Sequence, residues 1–256
     1  MPSAAFFEPT SVSKSTSILR ALHDRIDDSH FHSTPVTFVS PNQFELSQLF
    51  QAVRSSSFDL SSKPYWWSIM DDLSLGETYR SDLTLLSEHA VTLSQSNLFK
   101  DGLPHMAISL VPFFQHLFIK CGENGQFWDK VTDGQLTGFP GVFVAMRMVG
   151  ERALDHWSLE RTRPDKHQLV AKGKNSVLVL KHYPAIPIKR EQIVNVTGAG
   201  DSFVGSLLTA IASGHVLDTP QNLDEAVTKA QTAASLSLSS AHAVSPLLSG
   251  TVLQPV

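Results

Sequence analysis

At 256 residues the chain is long enough for one large or two small domains with a sizeable buried core. A net charge of −4 and a pI near 6.2 exclude any general attraction to nucleic acid or an anionic membrane. Cys121 is the single cysteine, which excludes an internal disulfide and a cysteine-rich metal site.

No apolar run in the sequence is long enough to span a bilayer. Met1 to Pro9 lacks the basic start and long apolar stretch of a secretory signal, and is not an Arg-rich presequence. The expectation is an intracellular, soluble, cytoplasmic protein.

Ala4-Ala5-Phe6-Phe7 reads as a short buried strand. Ser13 to Ile26 follows as a helix, with Ile18, Leu19, Leu22 and Ile26 at helical spacing. Pro35 to Val39 is a second strand, stopped by Ser40-Pro41. A helix then begins near Asn42, with Phe44, Leu46, Leu49, Phe50 and Val53 apolar. Strand, helix, strand, helix at this spacing predicts parallel βαβ winding.

Residues 54 to 80 carry no clear period, and Tyr65-Trp66-Trp67 is expected to cover an apolar surface. A helix is expected over Asp82 to Leu98, then a buried strand at His116 to Lys120, with another beginning at Gln126-Phe127-Trp128. Residues 129–175 read as an insertion, and their basic run from Arg161 to Lys174 as a solvated loop. Order resumes at Ser176 to Lys181 and Gln192 to Val194, and a last helix spans Leu223 to Leu238.

The chemistry concentrates at Asn195-Val196-Thr197-Gly198-Ala199-Gly200-Asp201-Ser202-Phe203, which runs into an apolar helix pattern. A glycine turn feeding a helix N-terminus leaves backbone N–H groups unpaired and aimed at one point, and the helix dipole favours an anion there. No Gly-Lys-Ser/Thr follows, so this is not a Walker A loop, and the third glycine of a dinucleotide fingerprint is missing. Asp201 is then either a carboxylate working beside bound phosphate or simply the helix N-cap.

Pro41-Asn42-Gln43-Phe44-Glu45 places an amide and a carboxylate three residues apart after a strand. The pair suits an oxygen-liganded cation held through water, or a capping box. Lys120-Cys121-Gly122-Glu123-Asn124-Gly125 is a glycine-bearing strand end, open to a phosphate approach or to an ordinary turn. Eleven histidines include no His-Glu-x-x-His, so zinc is not expected.

The nonapeptide at 195–203 resembles the C-terminal signature of the ribokinase-like (pfkB) carbohydrate and nucleoside kinases. The resemblance implies an α/β fold with a three-layer Rossmann-like core and a mainly parallel sheet. It implies that Gly198, Ala199 and Gly200 form an anion hole and that Asp201 is the base accepting the proton of the attacking hydroxyl. Asn42 and Glu45 match the family's Asn-x-x-Glu and would arrange Mg²⁺, its waters and the nucleotide phosphates. Lys120, Gly122 and Gly125 fall in the loop near ATP. Gln231 stands where the family often has an adenine-side Asn, although an amphipathic helix surface accounts for it equally.

Ala241 to Pro246, with Asn195 and Thr197, resembles the segment that surrounds a monovalent cation such as K⁺ in some members. Asn195 replaces the commoner Asp there. Phe7-Glu8-Pro9-Thr10-Ser11-Val12-Ser13-Lys14-Ser15 looks like the corresponding stretch of eukaryotic pseudouridine kinases.

The resemblance covers the C-terminal part of a family member, without the N-terminal strands, Gly-Gly substrate segment and β lid. Residues 1–256 are therefore expected to form one truncated kinase domain. The expected function is ATP-dependent phosphorylation of a sugar or nucleoside hydroxyl, with pseudouridine the acceptor pointed to. The alternative is a non-catalytic nucleotide-binding remnant or interaction module. Expected partners are ATP and a small sugar or nucleoside, with a homodimer or a second polypeptide completing the sheet.

Overall fold

The computed structural model describes residues 5–9, 11–26, 36–73, 81, 102–122, 131–132, 135–136, 141–214 and 217–248. The strands in chain order are β1 (Phe6–Phe7), β2 (Val36–Val39), β3 (Phe114–Lys120), β4 (Val131–Thr132), β5 (Gln135–Leu136), β6 (Val142–Val149), β7 (Gln168–Lys172), β8 (Ser176–Tyr183) and β9 (Ile188–Lys189). The chain divides into two compact units, Met1–Glu123 with Phe143–His182, and Asn124–Val142 with Tyr183–Val256.

The first unit holds an open six-stranded sheet in the order β1-β2-β3-β6-β8-β7. The pairs β1–β2 and β2–β3 are parallel, whereas β7–β8 is antiparallel. Parallel neighbours need a crossover, and the helices Val12–Ser15, Ser17–Ile26 and Gln43–Arg54 supply it, as the βαβ expectation required. Register places Phe6 opposite Phe38 and Phe38 opposite His116, and their rings stack at 6.1 and 4.9 Å.

The expected helix over Ser13 to Ile26 is divided at Thr16, where Ser15 Oγ donates to Val12 O at 2.7 Å. Helix Ser17–Ile26 buries Leu19 and Leu22, and helix Gln43–Arg54 buries Leu46, Leu49 and Val53. Each such side chain removed from water contributes about 1.5–3 kcal/mol before entropy is counted. Phe44 lies off that stripe and is exposed.

Helix Pro64–Asp72 carries the aromatic triplet: Tyr65 OH donates to Pro112 O and Trp66 Nε1 to Ser109 O, each at 3.0 Å, while Trp67 is exposed. Two of the three residues thus cover the core. Asp72 ends this helix by accepting from Asn175 N at 3.1 Å and from the Ser176 hydroxyl. The helix Leu103–Leu110 escapes sequence reading because Gly102 and Pro104 resemble a breaker; here Gly102 is the N-cap and Pro104 sits in the first turn. The helix expected over Asp82 to Leu98 and the strand start at Gln126 lie outside the described residues.

The segment 129–175, expected as an insertion, carries ordered structure at its centre. Residues 142–149 form β6, buried over seven of its eight residues and lying between β3 and β8. Its near-continuous apolar run is the mark of a strand covered on both faces, with no alternation to announce it. β7 and the helix Glu151–His156 are also ordered parts of this segment.

In the second unit, β4, β5 and β9 form a small antiparallel sheet. The helices Ala199–Ala212 and Pro220–Leu238 pack together, burying Phe203, Val204 and Leu207 and, from the second helix, Leu223, Ala226, Val227, Ala230 and Ala233. Thr219 caps the second helix, its side chain accepting from Asn222 N at 3.2 Å. The ordered stretch expected at Gln192 to Val194 begins with a 3₁₀ turn, Arg190–Gln192, followed by irregular chain. Among the described residues no helix is long and apolar enough to cross a membrane.

Candidate active site

The glycine turn folds as its sequence requires. Gly198 is the N-cap of helix Ala199–Ala212 with φ +82°, a left-handed conformation that costs other residues about 1–2 kcal/mol. A Cβ there would stand 1.8 Å from Ala243 O, so only glycine allows the close approach of the two backbones. Ser202 N makes the first helical bond, to Gly198 O at 2.9 Å. Among the described residues, the N–H groups of Ala199, Gly200 and Asp201 have no hydrogen-bond partner.

Asp201 is therefore the third helical residue and not the cap. Its side chain is exposed, and no protein group among the described residues hydrogen-bonds its carboxylate. Three open amides and one open carboxylate share the first helical turn, a pairing that favours bound negative charge and proton removal together. The approach to the turn is ordered as well: Asn195 Oδ1 accepts from Thr197 N at 2.9 Å. Val194 N and Asn195 N both donate to Leu238 O, at 2.8 and 3.2 Å.

Asn42 and Glu45 lie in the first unit and form a full capping box: Asn42 Oδ1 accepts from Glu45 N and Glu45 Oε2 from Asn42 N, each at 2.9 Å. Glu45 is buried at 2% exposure. This donor set suits contact with a metal's water shell and not direct ligation. Among the described residues no group of three or more His, Cys, Asp and Glu stands ready to hold a metal.

Asn42 also bridges Lys120, whose N–H donates to Pro41 O at 2.9 Å. The Lys120 ammonium is paired with Glu8, a partner that nothing in the linear sequence indicates. Gly122 closes the strand end, and Gly125 lies outside the described residues. Burial pushes the Cys121 thiol up to about 12, making it a packing residue of this strand end.

Gln231 is buried in the second unit, where its Nε2 donates to Tyr183 O and Pro184 O, both at 3.1 Å. Tyr183 OH donates to Asp224 Oδ1 at 2.6 Å; burial first, and then this carboxylate, raises the phenol well above its usual range. Gly141 presses on the same strand end, since a Cβ on it would lie 2.0 Å from Tyr183 O.

With this geometry in view, comparison with known proteins is informative. Residues 151–249 match the pfkB family carbohydrate kinase model, and this span contains the whole turn and both of its helices. Over residues 151–249 the chain is thus similar to the pfkB carbohydrate kinases.

Over 240 residues, 94% of its length, it is 24% identical to the pseudouridine-metabolizing bifunctional protein of Schizosaccharomyces pombe, of which it covers 26%. A 54-residue stretch, 20% of this chain, is 39% identical to the cytidine kinase of Thermococcus kodakarensis, 19% of that protein. Ribokinase from Cryptococcus neoformans, solved in complex with ADP, matches with a TM-score of 0.46 at 14% identity, over 97% of this chain and 51% of that one. The chain thus spans about a quarter of the fission yeast relative and about half of the ribokinase chain.

Proposed function

We propose that this chain carries the phosphoryl-transfer end of an ATP-dependent carbohydrate or nucleoside kinase. One observation carries the reading: an exposed Asp201 stands in the same helical turn as three unpartnered amides, behind a glycine that only glycine can replace.

In the proposed reaction the Asp201 carboxylate takes the proton of the acceptor hydroxyl as its oxygen bonds to the γ-phosphorus and the bond to ADP breaks. The amides of residues 199–201 stabilise charge on the equatorial oxygens without reorganising. Phosphoryl transfer asks little more of a protein than positioning and charge stabilisation. The exposed Val194, Val196 and Val244 near the turn supply apolar surface suited to a nucleobase. Magnesium would supply charge neutralisation on the phosphates, and Asn42 and Glu45 are the residues proposed to meet its waters. The similarity to a pseudouridine-metabolizing protein makes pseudouridine the first acceptor to test.

The test is transfer from labelled ATP to pseudouridine, cytidine, ribose and fructose by the wild type and Asp201→Asn. Asp201→Asn is expected to lose at least about 100-fold in kcat while keeping Mg-ATP affinity. Equal turnover by the two proteins would sink the assignment. A second reading, a nucleotide-binding module without transfer, is favoured by the pairing of Lys120 with Glu8, which neutralises the cation expected near phosphate. Mg-ATP stabilisation with no phosphorylated product would decide for it.

A further inference from the structure

Ser237 is fully buried near the end of helix Pro220–Leu238, on the side of the molecule that carries the glycine turn. Its hydroxyl lies 2.7 Å from Ser202 Oγ, also buried, and accepts from Ser245 N at 3.2 Å. Ser202 is the residue after Asp201. Ser245 ends the segment whose Ala243 carbonyl presses on Gly198. The next residue of the helix, Leu238, receives Val194 N and Asn195 N through its carbonyl. Three pieces of backbone that shape the turn are thus fastened to one helix end: the chain entering it, the helix leaving it and the segment covering it.

We infer that Ser237 is a positioning residue that holds the Gly198–Asp201 turn in its anion-binding shape. The buried hydroxyl joins the helix that carries Asp201 to the segment that closes over Gly198. A serine in a buried helical stretch is otherwise a poor choice, because alanine is the better helix former and leaves no polar group to satisfy. Replacing Ser237 by alanine therefore strengthens the helix itself, and any loosening of the turn is traceable to the lost hydroxyl. Its consequence for phosphate rests on the kinase reading; the fastening itself does not.

The test is backbone hydrogen exchange, read by mass spectrometry on the full chain for the wild type, Ser237→Ala and Ser202→Ala, each with and without Mg-ATP. In Ser237→Ala, exchange of the hydrogen-bonded amides of Val194, Asn195 and Thr197 within 194–201, and of Ser245 within 241–246, is expected to rise about tenfold, with β3 unchanged. Ser202→Ala should loosen 194–201 alone, because the bond from Ser245 N to Ser237 remains. Exchange over 194–201 within about twofold of wild type in both variants overturns the inference, as does an equal rise across β3. If Mg-ATP protects none of these amides in the wild type, the kinase reading fails, while the ligand-free comparison still decides the role of Ser237.

Discussion

Replacing Gly198 by alanine tests the turn most directly. Two penalties combine. At φ +82° an alanine pays about 1–2 kcal/mol for the left-handed conformation. Its Cβ would also lie 1.8 Å from Ala243 O, where real contacts stay above 3.0 Å, so one backbone must retreat by about 1.2 Å. Overpacking of that kind costs about 1–3 kcal/mol, giving a loss of about 2–5 kcal/mol together. For a chain of this size that is a fall in Tm of about 5–20 °C, read by calorimetry or thermal shift. A displacement near 1 Å in a positioning turn also costs about 100-fold in transfer. Gly205→Ala is the internal control: it lies exposed in the same helix, and its Cβ would meet nothing within 4 Å. That change should stabilise by about 0.5–1 kcal/mol. Equal Tm values for Gly198→Ala and wild type, or equal losses for both variants, would refute the reasoning.

Other outcomes can be checked without knowing the substrate. Burial, reinforced by the Arg147 charge, holds His116 down at about 3 instead of 6.5, so between those values the unfolded chain binds a proton that the folded chain refuses. Its stability contribution is complete above the upper value and declines as pH falls, by at most about 1.4 kcal/mol per pH unit. Urea midpoints should therefore drop from about pH 7 to about pH 5, and His116→Phe should flatten that dependence. Cys121, with its thiol raised to about 12 by burial, should resist maleimide labelling in the native protein and react at once in denaturant. Asn42→Ala should cost about 1 kcal/mol as a lost N-cap, measured by urea unfolding. Glu45→Gln keeps the capping box and the stability; a shifted Mg²⁺ requirement for transfer would then mark Glu45 as meeting the ion's waters.

What the sequence made legible follows periodicity and local turn chemistry. Leu46, Leu49 and Val53 announce their helix, and the glycines of 198–200 announce a turn before a helix. β6 was missed for the opposite reason: a strand buried on both faces has no alternation, and Arg147 within it resembles an interruption. The site divides in the same way. Asp201, the amides and the capping box of Asn42 and Glu45 can be read from residues within a few positions of each other. The pairing of Lys120 with Glu8 spans 112 residues, and that of Ser202 with Ser237 spans 35. Neither has a local signature, since serine and lysine are ordinary surface residues until the fold buries them. Gln231 shows the converse: it stands at a suggestive position, yet its amide nitrogen serves two backbone carbonyls.

Helix Pro220–Leu238 holds Tyr183 through Asp224, the Tyr183–Pro184 backbone through Gln231, and the turn through Ser237 and Leu238. These anchors are read off one rigid rod at about 1.5 Å and 100° per residue. Substitution at its exposed positions leaves their mutual angles intact. Adding or removing a single residue between Gln231 and Ser237 would swing one set of anchors by about 100° against the other. The interval between them should thus tolerate many changes of letter and none of length, so that the helix works as a gauge block for the chain on either side of it.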